Sequence, residues 1–351
     1  MTEFAIPVPD EAARRAAQQR LDGLVKPLGA LGRLEELGAW LCAAHGTVPP
    51  RQIEDVRVVV FAGDHGVTLA GDSGSSAVSA YPRAVTGAMV RAFVAGSSGV
   101  NVLAGQVGAT VRVADIAVDD DLDGVPPEVS AHKIRRGSGA IDREDALLPG
   151  EARRAFDAGR AIAEAEIEAG ADLLIPGDMG IGNTTVAAAL VAASLGVPAR
   201  ELTGTGTGID EASLEAKAAV IDTAVSRAAC RVEDPFELFT ALGSGCAAAT
   251  AGFVVGAAQR AVPVVLDGVF SCAAALVARD IAPEAARWWL AGHRSTEPAQ
   301  TYALKALGLE PILDLGLRLG EGSGAVQAVS TLRAARAVLA EMGSLADLGL
   351  G

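Results

Sequence analysis

ADLLIPGDMGIGNTTV, residues 171–186, is the stretch that decides how the chain reads. Leu173-Leu174-Ile175 is a short apolar run stopped by Pro176-Gly177, which predicts a buried parallel strand when a helical pattern follows. Gly177, Gly180 and Gly182 come next, residues that permit tight turns and a close approach of backbone N–H groups to a ligand. From Asn183-Thr184-Thr185 the chain enters an alanine-rich helix that ends near Gly196 and Pro198. Strand, glycine loop and helix N-terminus together make an anion site, through convergent N–H groups and the positive end of the helix. The spacing Gly177-x4-Gly182-Asn183-Thr184 is nearly a P-loop, with asparagine where the lysine belongs. A monophosphate therefore suits it better than a triphosphate with its metal. The plainer alternative is a βα turn whose glycines serve geometry alone.

Composition bounds the rest. The chain has 351 residues, half of them hydrophobic, with 41 glycines and a net charge of −14. That is length enough for one large α/β domain with a smaller appendage. The negative charge argues against nucleic acid or an anionic membrane as a partner. Cys42, Cys230, Cys246 and Cys272 are scattered without a CxxC pair, as expected of buried residues in a reduced compartment. The N-terminal residues lack a signal-peptide pattern, and the longest apolar stretch, 245–258, is too short to span a bilayer. A cytoplasmic enzyme is expected.

Outward from the central stretch, Asp10 caps a first helix, and a second carries Leu34, Leu37, Trp40 and Leu41 on one face. Residues 55–61 read as the first strand, with Asp64 and His65 at its ligand-binding end. His65 reads better as a loop histidine holding backbone than as a catalytic one. Helices over 83–94 and near 100–103 lead to a strand over 111–118. Asp119-Asp120-Asp121 and the cluster Lys133, Arg135 and Arg136 read as solvated. A long helix is expected over 144–169, and Asp210 caps another. Strands over 262–266 and 288–290 follow, and a last helix runs to about Met342. The glycines of 203–210 miss the dinucleotide spacing, and 243–248 fits its loosened form only after a helix, so no Rossmann oxidoreductase is indicated. Repeated strand–loop–helix units predict a Rossmann-like, doubly wound, mainly parallel α/β sheet. Its presumed strand ends carry Asp64, Asp178, Asp267 and Glu321. Read from residues alone, the chain binds a phosphate-bearing small molecule beside carboxylates.

The segments KPLGALGRLEEL, VVFAGDHGV, VSAYPRAVTGAMV, GDMGIGNTT, GTGTGID, VVLDGVFSCAAAL, GHRSTEP and LDLGLRLGEGSGA occur in this order over nearly the whole chain. Together they resemble the nicotinate-nucleotide–dimethylbenzimidazole phosphoribosyltransferase family. The resemblance implies transfer of phosphoribose from nicotinate mononucleotide to 5,6-dimethylbenzimidazole with inversion at C1′, giving α-ribazole 5′-phosphate for the lower ligand of cobalamin. It implies Glu321 as the base, with Asp178 as a second catalytic acid. Gly180, Ile181, Gly182, Asn183, Thr184 and Ser295 would contact the phosphate. Gly206, Thr207, Gly208, Lys217 and Asp267 would help hold the nucleotide or shape its pocket, and Ser79, Tyr81, Ala88 and Met89 would line the aromatic-base site. A homodimer without metal or cofactor is implied. So is a small lobe of N-terminal helices (1–50) and the C-terminal helix (325–351) on a large domain (51–324). The chain departs from the family pattern in several places. Asp178 stands for the family's glutamate, Ala88 for a glutamine and Cys246 for an acid. GSGAIDRED (137–145) shortens a longer family segment, and GDSGSSA (71–77) looks inserted. These departures leave open another aromatic acceptor, or a non-catalytic nucleotide-binding paralogue.

Overall fold

Runs rich in valine and isoleucine with no polar alternation form strands buried on both faces, as a parallel sheet requires. The computed structural model describes residues 4–69 and 78–349, so the GDSGSSA segment lies outside the described residues. Helices α1 (Glu11–Asp22) and α2 (Arg33–His45) precede β1 (Val56–Gly63). Next come α3 (Val85–Val94), α4 (Gly99–Gln106) and β2 (Thr110–Ala117). Helix α5 (Glu151–Glu168) enters β3 (Leu173–Met179), and α6 (Asn183–Leu195) leaves it. Then follow α7 (Ala199–Leu202), α8 (Glu211–Ala228), α9 (Pro235–Leu242), α10 (Gly245–Gln259) and β4 (Val264–Leu266). The chain continues through α11 (Val269–Ile281), β5 (Trp289–His293), α12 (Pro298–Leu307), β6 (Pro311–Leu313) and α13 (Ser323–Glu341).

The sheet is parallel throughout, in the order β2-β1-β3-β4-β5-β6. Alternate residues divide between its faces. Val59, Phe61 and Leu174 pack with Phe156 of α5, Phe253 of α10 and Phe270 of α11. Val58, Val60 and Ile175 pack with Val90 of α3, Val100 of α4 and Val329 of α13. This is the doubly wound arrangement, and its strand order reverses between β1 and β3, where such sheets open a ligand crevice. A third, smaller cluster joins Leu21 of α1, Cys42 of α2 and Leu339 of α13. Helix α13 thus covers the sheet with its first turns and joins α1 and α2 with its last.

Several local expectations need correction. Helix α5 starts at Glu151, not Glu144, because Pro149-Gly150 intervenes and Gly150 adopts φ +83°. Strand β6 went unanticipated; it is three residues long and only half-buried at the sheet edge. The acidic turn and the basic cluster are paired to one another and to the core. Arg136 bonds Asp119 at 2.8 Å, Arg91 bonds Asp120 at 2.8 Å and Lys133 bonds Asp115 at 2.9 Å. The cause is the return of residues 134–137 along the end of β2, which brings opposite charges together. Cys230 is exposed, unlike the other three cysteines. A stretch longer than 245–258, Val85–Gln106, has the length and hydropathy of a membrane span. It folds instead as α3 and α4, separated at 95–98 and packed against β2.

Candidate active site

A cavity of about 540 Å³ opens at the C-terminal ends of the central strands. The β3–α6 loop forms one wall, and Gly180, Ile181, Gly182, Asn183 and Thr184 all line it. Gly182, at φ +92°, caps α6 and leaves the helix N-terminus facing the cavity. Asn183 turns back, its Nδ2 donating to Asp178 Oδ2 at 2.5 Å. The glycines of this loop also serve the plainer purpose of geometry. A Cβ at Gly177 would lie 2.3 Å from the carbonyl oxygen of Glu321, and one at Gly180 would lie 2.0 Å from that of Gly63. They admit the protein's own backbone, not only a ligand. Lys217 is fully buried behind this wall and does not line the cavity. Its Nζ donates to Thr184 Oγ1 and to the Gly204 carbonyl, each at 2.8 Å. Burial lowers its pKa to about 8, against the opposing charge of Glu297.

The acids gather beside this wall. Glu321 lies between Gly320 and Gly322, and all three residues have positive φ, at 78°, 64° and 91°. A left-handed glutamate is uncommon and persists only where its surroundings fix it. Here Glu321 is 4% exposed and its Oε2 accepts the Val100 N–H, at the start of α4, at 3.2 Å. Burial raises its pKa; that hydrogen bond opposes the rise, and the charge of Asp267 adds to it. Asp178 is pushed up to about 7, first by burial and then by Asp267, against its bond from Asn183. Asp267 lies below both and does not reach the cavity surface. Its carboxylate accepts the N–H groups of Gly322, Gly324 and Ala325 at 3.1, 2.9 and 2.9 Å. It thereby anchors the N-terminus of α13 and the turn that carries Glu321. His293 lies 3.4 Å away, a charge approach more than a formed hydrogen bond. Burial lowers its pKa, but Asp267 outweighs that and leaves it raised.

Ser79, Tyr81 and Met89 line the third wall. Ala88 does not: it is exposed, because one step back along α3 turns it by about 100° from Met89. Thr207 ties this wall to the phosphate side. Its Oγ1 accepts the Ala80 N–H at 2.8 Å and lies 3.1 Å from Ser79 Oγ. Gly206 and Ser295 line the cavity, whereas Gly208 does not. Asp64 and His65 are buried beneath the crevice. His65 packs against Phe270 and its pKa falls to about 3, mainly through burial, which suits a neutral structural ring. Among polar side chains lining the cavity, the sequence reading passed over three, His293, Glu297 and Arg318. Two of them belong to the GHRSTEP segment, whose density of polar residues just after a strand was the available signal.

A family model described as phosphoribosyltransferase matches residues 6–350. The nicotinate-nucleotide–dimethylbenzimidazole phosphoribosyltransferase of Mycolicibacterium paratuberculosis is 53% identical over 351 residues, covering 99% of this chain and 98% of that protein. The chain belongs to the nicotinate-nucleotide–dimethylbenzimidazole phosphoribosyltransferase family. The enzyme of that name from Mycobacterium tuberculosis is 51% identical, covering 100% of this chain and 95% of its own length. The crystal structure of nicotinate-nucleotide–dimethylbenzimidazole phosphoribosyltransferase from Thermus thermophilus superposes with a TM-score of 0.89 at 40% identity, over 97% of this chain and 99% of that one. For a phosphoribosyltransferase the cavity offers a helix N-terminus for an anion and, in the same cavity, two buried carboxylates suited to receiving a proton.

Proposed function

We propose that this protein transfers the 5-phosphoribosyl group of nicotinate mononucleotide to 5,6-dimethylbenzimidazole, inverting C1′ and releasing nicotinate. One observation carries the reading. A single cavity joins the N-terminus of α6 to the buried Glu321. The phosphate binds at Gly180–Thr184, against the N-terminus of α6, with Ser295 beside it, and Lys217 holds that wall from behind. One benzimidazole nitrogen attacks C1′ from the face opposite the pyridinium. The C1′–N bond breaks, and its electron pair neutralises the departing ring, so the leaving group needs no acid. The second benzimidazole nitrogen loses its proton to Glu321. A carboxylate raised by burial is a stronger base than a solvated one, which suits that step. Asp178, raised to about 7, is the neighbouring group that can share the proton.

Tolerance of other acceptors, expected from the loss of a glutamine at Ala88, draws no support from the cavity, whose lining does not include Ala88. Dimethylbenzimidazole is therefore the acceptor proposed. A homodimer accords with the exposure of Tyr81 and Leu319 at the cavity mouth, and sedimentation velocity tests it. The deciding experiment is product analysis after incubation with nicotinate mononucleotide and a panel of benzimidazoles, adenine and phenols. Formation of α-ribazole 5′-phosphate with equimolar nicotinate is the expected result. Absence of any ribosylated product refutes the reading.

A further inference from the structure

One carboxylate in the cavity wall has no part in the proton transfer. Glu297 is 4% exposed, follows β5 in the loop that carries Ser295, and lines the cavity. Its Oε1 accepts the Gly206 N–H at 2.8 Å, while Oε2 has no hydrogen-bond partner among the described residues. The carboxylate lies flat against Gly204, where a Cβ would come within 2.2 Å of Oε2. Lys217 does not neutralise it by contact, since its ammonium is committed to Thr184 and Gly204. The loop is held from within: Ser295 Oγ accepts the Glu297 N–H, and Gln300 accepts that of Ser295.

A fixed anion beside a phosphate subsite weakens phosphate binding by Coulomb repulsion unless it meets donors on the same ligand. The donors that a phosphoribosyl group offers are its ribose hydroxyls. Carboxylates bind ribose hydroxyls in other nucleotide sites for the same chemical reason. We infer that Glu297, through its free Oε2, holds the ribose 2′- and 3′-hydroxyls and so selects ribonucleotides over deoxynucleotides; this rests on the function proposed above. Glu297 lines the same cavity as the phosphate loop and Glu321 and is bonded to Gly206, where a Cβ would lie 2.9 Å from Thr184 Oγ1. It thus faces the space next to the phosphate subsite, into which a sugar attached to that phosphate extends. A carboxylate bonded to the 2′-hydroxyl also strengthens its hold as positive charge develops at C1′.

Calorimetric binding of nicotinate mononucleotide and its 2′-deoxy and 3′-deoxy analogues, to the parent protein and to Glu297→Gln, tests the assignment. Glutamine keeps an oxygen for the Gly206 N–H, so the loop is retained. Loss of a hydrogen bond to a charged acceptor should weaken binding by about ten- to a hundredfold. The parent should lose this much with at least one deoxy analogue, and Glu297→Gln should lose it with the ribonucleotide. In the variant, that analogue should then bind no worse than the ribonucleotide. Multiplying losses would mean that Glu297 merely organises the Gly206 loop, and would overturn the inference. Equal binding of all three nucleotides by the parent overturns it without any variant. If the parent binds none of them, the proposed substrate itself is wrong and the inference falls with it.

Discussion

Replacing Glu321 with glutamine separates proton transfer from everything else that this residue does. The side chain keeps its length, and its remaining oxygen can accept the Val100 N–H that now stands at 3.2 Å from Oε2. The positive φ of 64° is no harder for glutamine than for glutamate, so the turn should persist. What disappears is the capacity to accept a proton at neutral pH. Removal of a positioned general base costs about 10²- to 10⁴-fold in turnover. A pyridinium leaving group needs no acid, and the attacking nitrogen is already nucleophilic, so the loss belongs at the lower end, about 10²- to 10³-fold. Stability should move the other way. Burial raises the pKa of Glu321, so its ionised form is less favoured in the folded protein than in the unfolded chain. The stability tied to this group is complete below the unfolded carboxylate pKa and is lost as pH rises through the folded value. At neutral pH the glutamine variant should therefore melt no lower than its parent, and higher if the carboxylate is ionised. Single-turnover product formation, calorimetric nucleotide affinity and a thermal melt together measure all three effects. Turnover within a few-fold of the parent, retained also when Asp178→Asn is added, would refute a carboxylate base.

Asp267→Asn keeps one acceptor oxygen for three N–H groups and removes the charge from the start of α13; chemical denaturation should register a loss of about 2–4 kcal/mol, and an unshifted midpoint would deny Asp267 its anchoring role. Asp178, held near 7, titrates well above the unfolded carboxylate value, so its contribution to stability is lost as pH climbs from about 4 to 7. Asp178→Asn should accordingly flatten the stability–pH curve over that window and be more stable than the parent at pH ~8; parallel curves for the two proteins would contradict the raised value. Thr207→Val breaks the link from the Gly206 side to Ser79 and Ala80. Its KM for the acceptor should rise several-fold while calorimetric affinity for the nucleotide holds, and an equal loss of both would place Thr207 elsewhere in the cycle.

What sequence could disclose follows from the range of the forces involved. The strands of the sheet's centre were legible because burial on both faces leaves an apolar run, and the β3–α6 loop because its glycines have few substitutes. Strand β6 was not, since three half-buried residues at an edge carry no periodicity. The same limit hid the pairing of Asp119 and Asp120 with Arg136 and Arg91, charges that are distant in sequence and local only in the fold. In the cavity, residues that share a loop motif were placed together. Lys217 and Asp267 were expected either to hold the nucleotide or to shape its pocket; both are buried behind the lining, a placement that spacing does not fix because the direction of a buried side chain is not written in it. Ala88 failed for a simpler reason: a helix exposes one face at a time, and Val85 and Met89, one turn apart, take the inner one.

The packing of α1 and α2 against α13 has a consequence for how the chain is made. Arg20 in α1 donates to the Leu339 carbonyl across a sequence separation of 319 residues, and Leu21, Cys42 and Leu339 close one cluster. At a ribosomal rate of about 5–20 residues per second, the first two helices wait on the order of tens of seconds for the helix that covers them. During that interval the nascent chain presents an apolar surface with nothing native to receive it. Glu321, the proposed base, emerges in the same final portion, well after the β3–α6 loop. A ribosome-bound chain arrested before α13 should therefore hold a folded sheet with an open flank, a species for a holding chaperone and not yet a catalyst.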